Sequence, residues 1–92
     1  METETSRLYD AFLVLKDREE VRNFLTDILS ETELQDLKER WQAWELLAQD
    51  LTQTRVSEQI DLSRVTVGRA DKVLKGGTGI LKVVLQRLDA VI

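Results

Sequence analysis

Apolar residues recur at steps of three and four along nearly the whole chain, the spacing of one face of an α-helix. Leu8, Ala11, Phe12 and Leu15 form a first stripe, and Val21, Phe24, Leu25, Ile28 and Leu29 a second, with the polar run Lys16 to Glu20 between them. The pattern predicts two short amphipathic helices or one bent one. Ser30 followed by Glu33 is a capping-box pair, in which each side chain accepts from a backbone N–H left unpaired at a helix start, so a third helix begins there. It carries Leu34, Leu37, Trp41, Trp44, Ala48 and Leu51 along one face, a seam of roughly five turns. This is the expected central strut, with the chain turning at Asp50 to Thr52.

Residues 52–75 follow a tighter plan: helix, turn, helix, in the spacing of a DNA-binding helix-turn-helix. With Gln53 as the first position, Val56, Ser57, Ile60, Leu62, Val67 and Ala70 fall inside, while Gln53, Arg55, Arg64, Thr66, Arg69 and Lys72 point elsewhere. Two short helices crossing steeply need a small residue at the crossing, here Ser57, with apolar contacts around it. Thr52 and Ser63 supply N-caps for the two helices. Asp61 stands at the turn position usually given to Gly, where Asp tolerates a left-handed backbone.

Lys75-Gly76-Gly77-Thr78-Gly79 ends the second helix as a flexible joint, and Thr78 can cap a last one. In that last segment Leu81, Val84, Leu85, Leu88 and Val91 form one stripe, with Ile80, Val83 and Ile92 beside it. A helix apolar on several sides must be covered on several sides, and so small a chain has little to cover it with, so a second copy is the economical source. The expected architecture is all-α, about six helices in a single domain of residues 1–92. The helix-turn-helix occupies 52–75, and 1–51 with 79–92 supply dimerisation helices.

Pooled composition works against a nucleic-acid partner. The 92 residues carry a net charge of −4, whereas Lys and Arg supply most non-specific affinity for phosphate. The charges are segregated, however. Residues 1–53 sum to −7, while residues 54–82 sum to +3 through Arg55, Arg64, Arg69, Lys72, Lys75 and Lys82 against Glu58, Asp61 and Asp71. Docking responds to the local potential of one face, so the basic stretch matters more than the total, an ordinary solvated surface being the bland alternative. The absence of Cys and His removes the disulfide, thiol-nucleophile and imidazole-base options and leaves no residue constellation for catalysis. No metal or other cofactor is expected, and neither a membrane span nor a secretory leader is evident, which favours the cytoplasm.

With these elements placed, the sequence resembles the Trp repressor superfamily, in particular its branch of short Trp-repressor-like proteins. The similarity runs from about Leu8 to Leu88 and is strongest at Glu33-Leu34-Gln35 with Arg40-Trp41, at Leu46-Leu47, and at Thr66-Val67-Gly68-Arg69. The resemblance implies an interleaved helical dimer whose two reading heads meet successive major grooves on one face of double-stranded DNA. It implies a base-facing role for Thr66 and a phosphate contact for Gln53. Arg69 matches an arginine that, in tryptophan-sensing members, lies against the bound amino acid and near DNA. Arg40 matches the pocket's other arginine only with a one-residue offset. Ala70 and Val73 replace a Gly and a hydroxyl-bearing Ser there, which crowds and depolarises the pocket and weighs against tryptophan as the small-molecule effector.

The candidate interface is therefore Ser63, Arg64, Val65, Thr66 and Arg69 toward bases or adjacent phosphates, with Gln53, Lys72 and Lys75 on the backbone. Arg40 and Arg69 mark an effector pocket. Arg64 can reach two acceptors on guanine or bind phosphate, and Val65 can meet a thymine methyl. Each has a plainer reading: Arg64 and Val65 as exposed surface, Thr66 bonded to its own helix, Lys72 and Lys75 as cations favoured near a helix C-terminus. Gly68 costs roughly 1 kcal/mol against alanine in a helix, which points to a close approach of DNA or ligand. Trp41 and Trp44 read as core packing rather than a ligand cage, and Asp17, Glu19 and Glu20 as a solvated face. The function expected is a sequence-specific transcriptional regulator, a repressor on a palindromic operator. The rival is a helical dimeric module whose basic face binds an acidic protein.

Overall fold

The computed structural model describes residues 2–91, with side-chain exposure for 7–90. All six regular elements among them are helices: α1 (Glu2–Leu13), α2 (Arg18–Ile28), α3 (Glu31–Leu47), α4 (Gln53–Gln59), α5 (Arg64–Gly76) and α6 (Ile80–Val91). The chain divides between Leu34 and Gln35 into two compact units.

The N-terminal unit resolves the choice between two helices and one bent helix in favour of two. The break is built by side chains that a count of charges alone assigns to solvent. Asp17 caps α2 by accepting from the Glu20 backbone N–H at 2.9 Å, and Glu20 returns the favour to the Lys16 N–H at 2.9 Å. Phe12 and Phe24 then meet edge to face, ring centroids 5.2 Å apart, the arrangement the aromatic quadrupole favours. Even so, α2 buries no residue fully, and Leu8, Tyr9, Phe12, Leu13, Val14, Val21 and Ile28 all remain exposed, Leu13 at 80%. The Ser30 capping box forms as expected: Ser30 Oγ accepts from the Glu33 N–H at 3.1 Å, and Glu33 Oε1 accepts from the Ser30 N–H at 2.8 Å.

The C-terminal unit holds the core. Ala43 and Leu47 of α3, Val56 of α4, and Val67, Ala70 and Leu74 of α5 are buried together, with Trp44, Leu46, Leu51, Ile60, Leu62, Leu81 and Leu85 packed partly buried around them. The interior positions expected of the helix-turn-helix all turn inward, Val56, Val67 and Ala70 fully and Ser57, Ile60 and Leu62 halfway. Thr52 Oγ1 caps α4 through the Arg55 N–H at 3.2 Å, and Ser63 Oγ caps α5 through the Thr66 N–H at 3.2 Å. Thr78 Oγ1 accepts from the Ile80 N–H at 3.3 Å at the start of α6.

Three details depart from the sequence reading. First, α3 ends at Leu47 rather than running to Leu51, and its buried line passes through Ala43 and Leu47 while Ala48 is exposed. Backbone bonds from the Gln49 and Asp50 N–H groups tighten this end, and Asp50 takes φ 65°. Second, Asp50 is the only non-glycine residue with positive φ among those described, so Asp61 does not adopt the left-handed backbone expected of it. The α4–α5 turn instead closes with the Leu62 N–H on the Ile60 carbonyl at 2.8 Å. Third, the glycine cluster is a shaped turn. A Cβ on Gly77 would lie 2.7 Å from the Val73 carbonyl oxygen, and Gly79 sits at φ +93°, a region where only glycine is unstrained. On α6, Leu81, Val83, Val84 and Leu85 are half-buried, whereas Ile80 and Leu88 stay exposed. Ile92, assigned to the stripe's flank, and the side chain of Val91 lie outside the described residues.

Candidate functional site

Helix α5 is divided lengthwise. Val67, Ala70, Asp71 and Leu74, spaced at three and four, form its buried side. Arg64, Val65, Arg69, Lys72, Val73 and Lys75 are exposed around the rest, Val65 at 65%. Buried contacts thus fix the axial position and rotation of the helix, while its cations stay in water. Trp44 adds a directional tie: its indole Nε1–H donates to the Ala70 carbonyl at 3.0 Å, joining α3 to α5, and its ring meets Trp41 edge to face at 6.2 Å. The Trp pair therefore packs, as its spacing suggests, and Trp44 anchors the presenting helix as well.

At the start of α5, Ser63 and Arg64 are exposed and Thr66 is half-buried. The Ser63 and Thr66 hydroxyls lie 3.0 Å apart, a polar pair at the helix N-terminus where N–H groups and the helix dipole favour an anion. Thr66 is thus engaged with the cap and retains one side toward solvent.

The expected pocket residues do come together. Arg40 of α3 and Arg69 of α5 line one open cleft of about 420 Å³, along with Trp44, Leu62, Thr66, Ala70 and Val73. Sequence reasoning missed the two acids, Asp36 and Glu39, on the same wall. Asp36 stands three residues before Glu39 and four before Arg40, so helical periodicity alone could have placed it beside each of them.

The larger omission is Asp71, counted only as an acidic charge. It is 6% exposed, the one buried charged residue among those described. Gln53 Nε2 donates to its Oδ2 at 2.8 Å, and Lys75 Nζ lies 3.0 Å from the same oxygen. Burial alone pushes the carboxyl pKa up. The hydrogen bonds from Lys75 and Gln53 and the Lys75 charge outweigh it, so the group sits below its ordinary value and is ionised at neutral pH. A Cβ on Gly68 would meet Gln53 Oε1 at 3.4 Å, ordinary contact with the end of a flexible side chain, so Gln53 does not require a glycine there.

Comparison with known proteins agrees with this fold. A crystal structure of a TrpR-like protein from Eubacterium eligens ATCC 27750 superposes with a TM-score of 0.87 at 26% identity, covering 95% of this chain and 90% of the other. A candidate Trp repressor from Staphylococcus aureus gives 0.87 at 28% identity, covering 95% and 87%. The uncharacterised protein YerC of Bacillus subtilis (strain 168) is 27% identical over 85 residues, 92% of this chain and 82% of its own length. The Trp repressor protein family model matches residues 3–89, nearly the full length, and the chain belongs to that family.

Proposed function

We propose that the protein is a homodimeric, sequence-specific DNA-binding regulator, acting as a repressor on a palindromic operator. The observation that carries this reading is the lengthwise division of α5. A helix held by Val67, Ala70 and Leu74 carries Arg64, Val65, Arg69, Lys72 and Lys75 exposed, as major-groove entry requires. Ser63, Arg64, Val65, Thr66 and Arg69 meet bases or adjacent phosphates. Gln53, Lys72 and Lys75 take the backbone.

A second chain has an obvious place. The N-terminal unit leaves seven large apolar side chains exposed, and α6 leaves Ile80 and Leu88. Water-facing surface of this kind is stabilised by covering it with its own copy. Residues 1–51 and 79–92 supply that interface, making one functional domain of the two compact units. The Arg40–Arg69 cleft is the place for a small-molecule effector. Its Ala70 and Val73 lining gives tryptophan's ammonium no hydroxyl partner at those positions, so other small ligands are the better candidates.

The test is selection of duplex DNA from a random pool, followed by titration of the selected site. Arg64→Ala should cost about 1–3 kcal/mol and relax preference at one base pair. A chain that binds no duplex but captures an acidic protein through the same face would instead support an interaction module.

A further inference from the structure

Gln53 and Lys75 come from different helices yet converge on one atom. The Gln53 amide nitrogen is 2.8 Å, and the Lys75 ammonium 3.0 Å, from Asp71 Oδ2. The two nitrogens can therefore be no farther apart than those two bonds laid end to end. One phosphate, with two non-bridging oxygens, can span such a gap. Neither donor is used up by Asp71: an amide NH₂ has a second N–H and an ammonium has two more. Lys75 is also 71% exposed at its side chain, so its free protons face water while its position is set from beneath.

We propose that Asp71 is a positioning residue for DNA docking: by holding Gln53 and Lys75 on one carboxylate oxygen, it presents their remaining N–H groups as a two-donor clamp for a single backbone phosphate. This rests on the DNA-binding reading above and adds to it a buried acid that touches no DNA. The sign of the effect separates this role from plain electrostatics. A carboxylate beside a phosphate site repels the phosphate, so a residue without a positioning role should strengthen binding when neutralised. A positioning residue should weaken it.

The experiment measures affinity of the full-length protein for a selected duplex and for a scrambled duplex across a range of salt, with wild type and Asp71→Asn. Asn keeps the shape and a neutral acceptor but removes the charge that holds Lys75. The expected result is roughly tenfold weaker binding to both duplexes alike, the scale of one lost charge-assisted contact. The slope of log affinity against log salt should be shallower by about one phosphate contact. In a Gln53→Ala/Lys75→Gln background, adding Asp71→Asn should cost nothing further. Equal or tighter binding by Asp71→Asn with an unchanged slope would overturn the proposal while leaving DNA binding intact. Absence of salt-dependent binding by wild type would instead remove the reading beneath it. Should circular dichroism show Asp71→Asn unfolded, the single and double Gln53→Ala and Lys75→Gln variants decide. Losses that overlap support a shared phosphate, and losses that simply add contradict it.

Discussion

Gly68 shows how a single residue's meaning changes once its neighbours are known. A glycine inside a helix signals close approach, but sequence alone cannot say by what. Here the nearest group is the Gln53 amide oxygen, at the 3.4 Å edge of ordinary contact and at the end of a flexible side chain. Gly68→Ala should therefore raise the melting temperature, since about 0.5–1 kcal/mol of helix propensity outweighs a small rotation of Gln53. A lower melting temperature would mean that the α4–α5 crossing is closer than this. Val67, fully buried, has no such latitude. Its replacement by Ala should cost about 2 kcal/mol in urea unfolding. Asp71 gives a pH signature. Its folded pKa lies below the ordinary carboxylate value, so its contribution is complete above the unfolded pKa near ~3.9 and fades as pH falls through the lower folded value. The stability difference between wild type and Asp71→Asn should stay constant from neutral pH down to about 4 and shrink below that.

At the scale of elements, short-range signals carried most of the information. The Ser30–Glu33 box, the Thr52 and Ser63 caps, and the inward turn of Val56, Val67 and Ala70 were all legible because each depends on residues a few positions apart. The errors fell where distant contacts decide. The end of α3 at Leu47 and the burial of Ala43 depend on what packs beside that helix, which periodicity cannot see. Asp61 stands where such turns carry glycine, but the left-handed residue is Asp50, one element earlier. Arg40 and Arg69 line one cleft, whereas the Asp71 clasp is not legible in the sequence because Gln53 lies on another helix. The caps give a direct check: Thr52→Ala and Ser63→Ala should each cost about 1 kcal/mol of stability in thermal or urea unfolding. The Ser63 variant should also weaken DNA binding, since Ser63 orders the start of the presenting helix.

For the whole molecule, the pooled charge of −4 and the basic α4–α5 stretch are reconciled by segregation. The acidic charge lies mostly in residues 1–53 and the basic charge in 54–82, and the apolar residues of the N-terminal unit are exposed in a single chain, where the proposed second copy would cover them. No helix among the described residues is long and apolar enough to cross a membrane. Covering those apolar residues should make the melting temperature rise with protein concentration. A charge placed among them, as in Leu13→Glu, should lower the solution mass toward that of one chain. The measurement that reaches the central claim most directly is the salt dependence and stoichiometry of binding to a selected palindromic duplex. Two chains should bind per duplex, with affinity falling steeply between about 50 and 200 mM salt as displaced counterions lose their entropic advantage. One chain per duplex, or an affinity that salt leaves unchanged, would contradict the account.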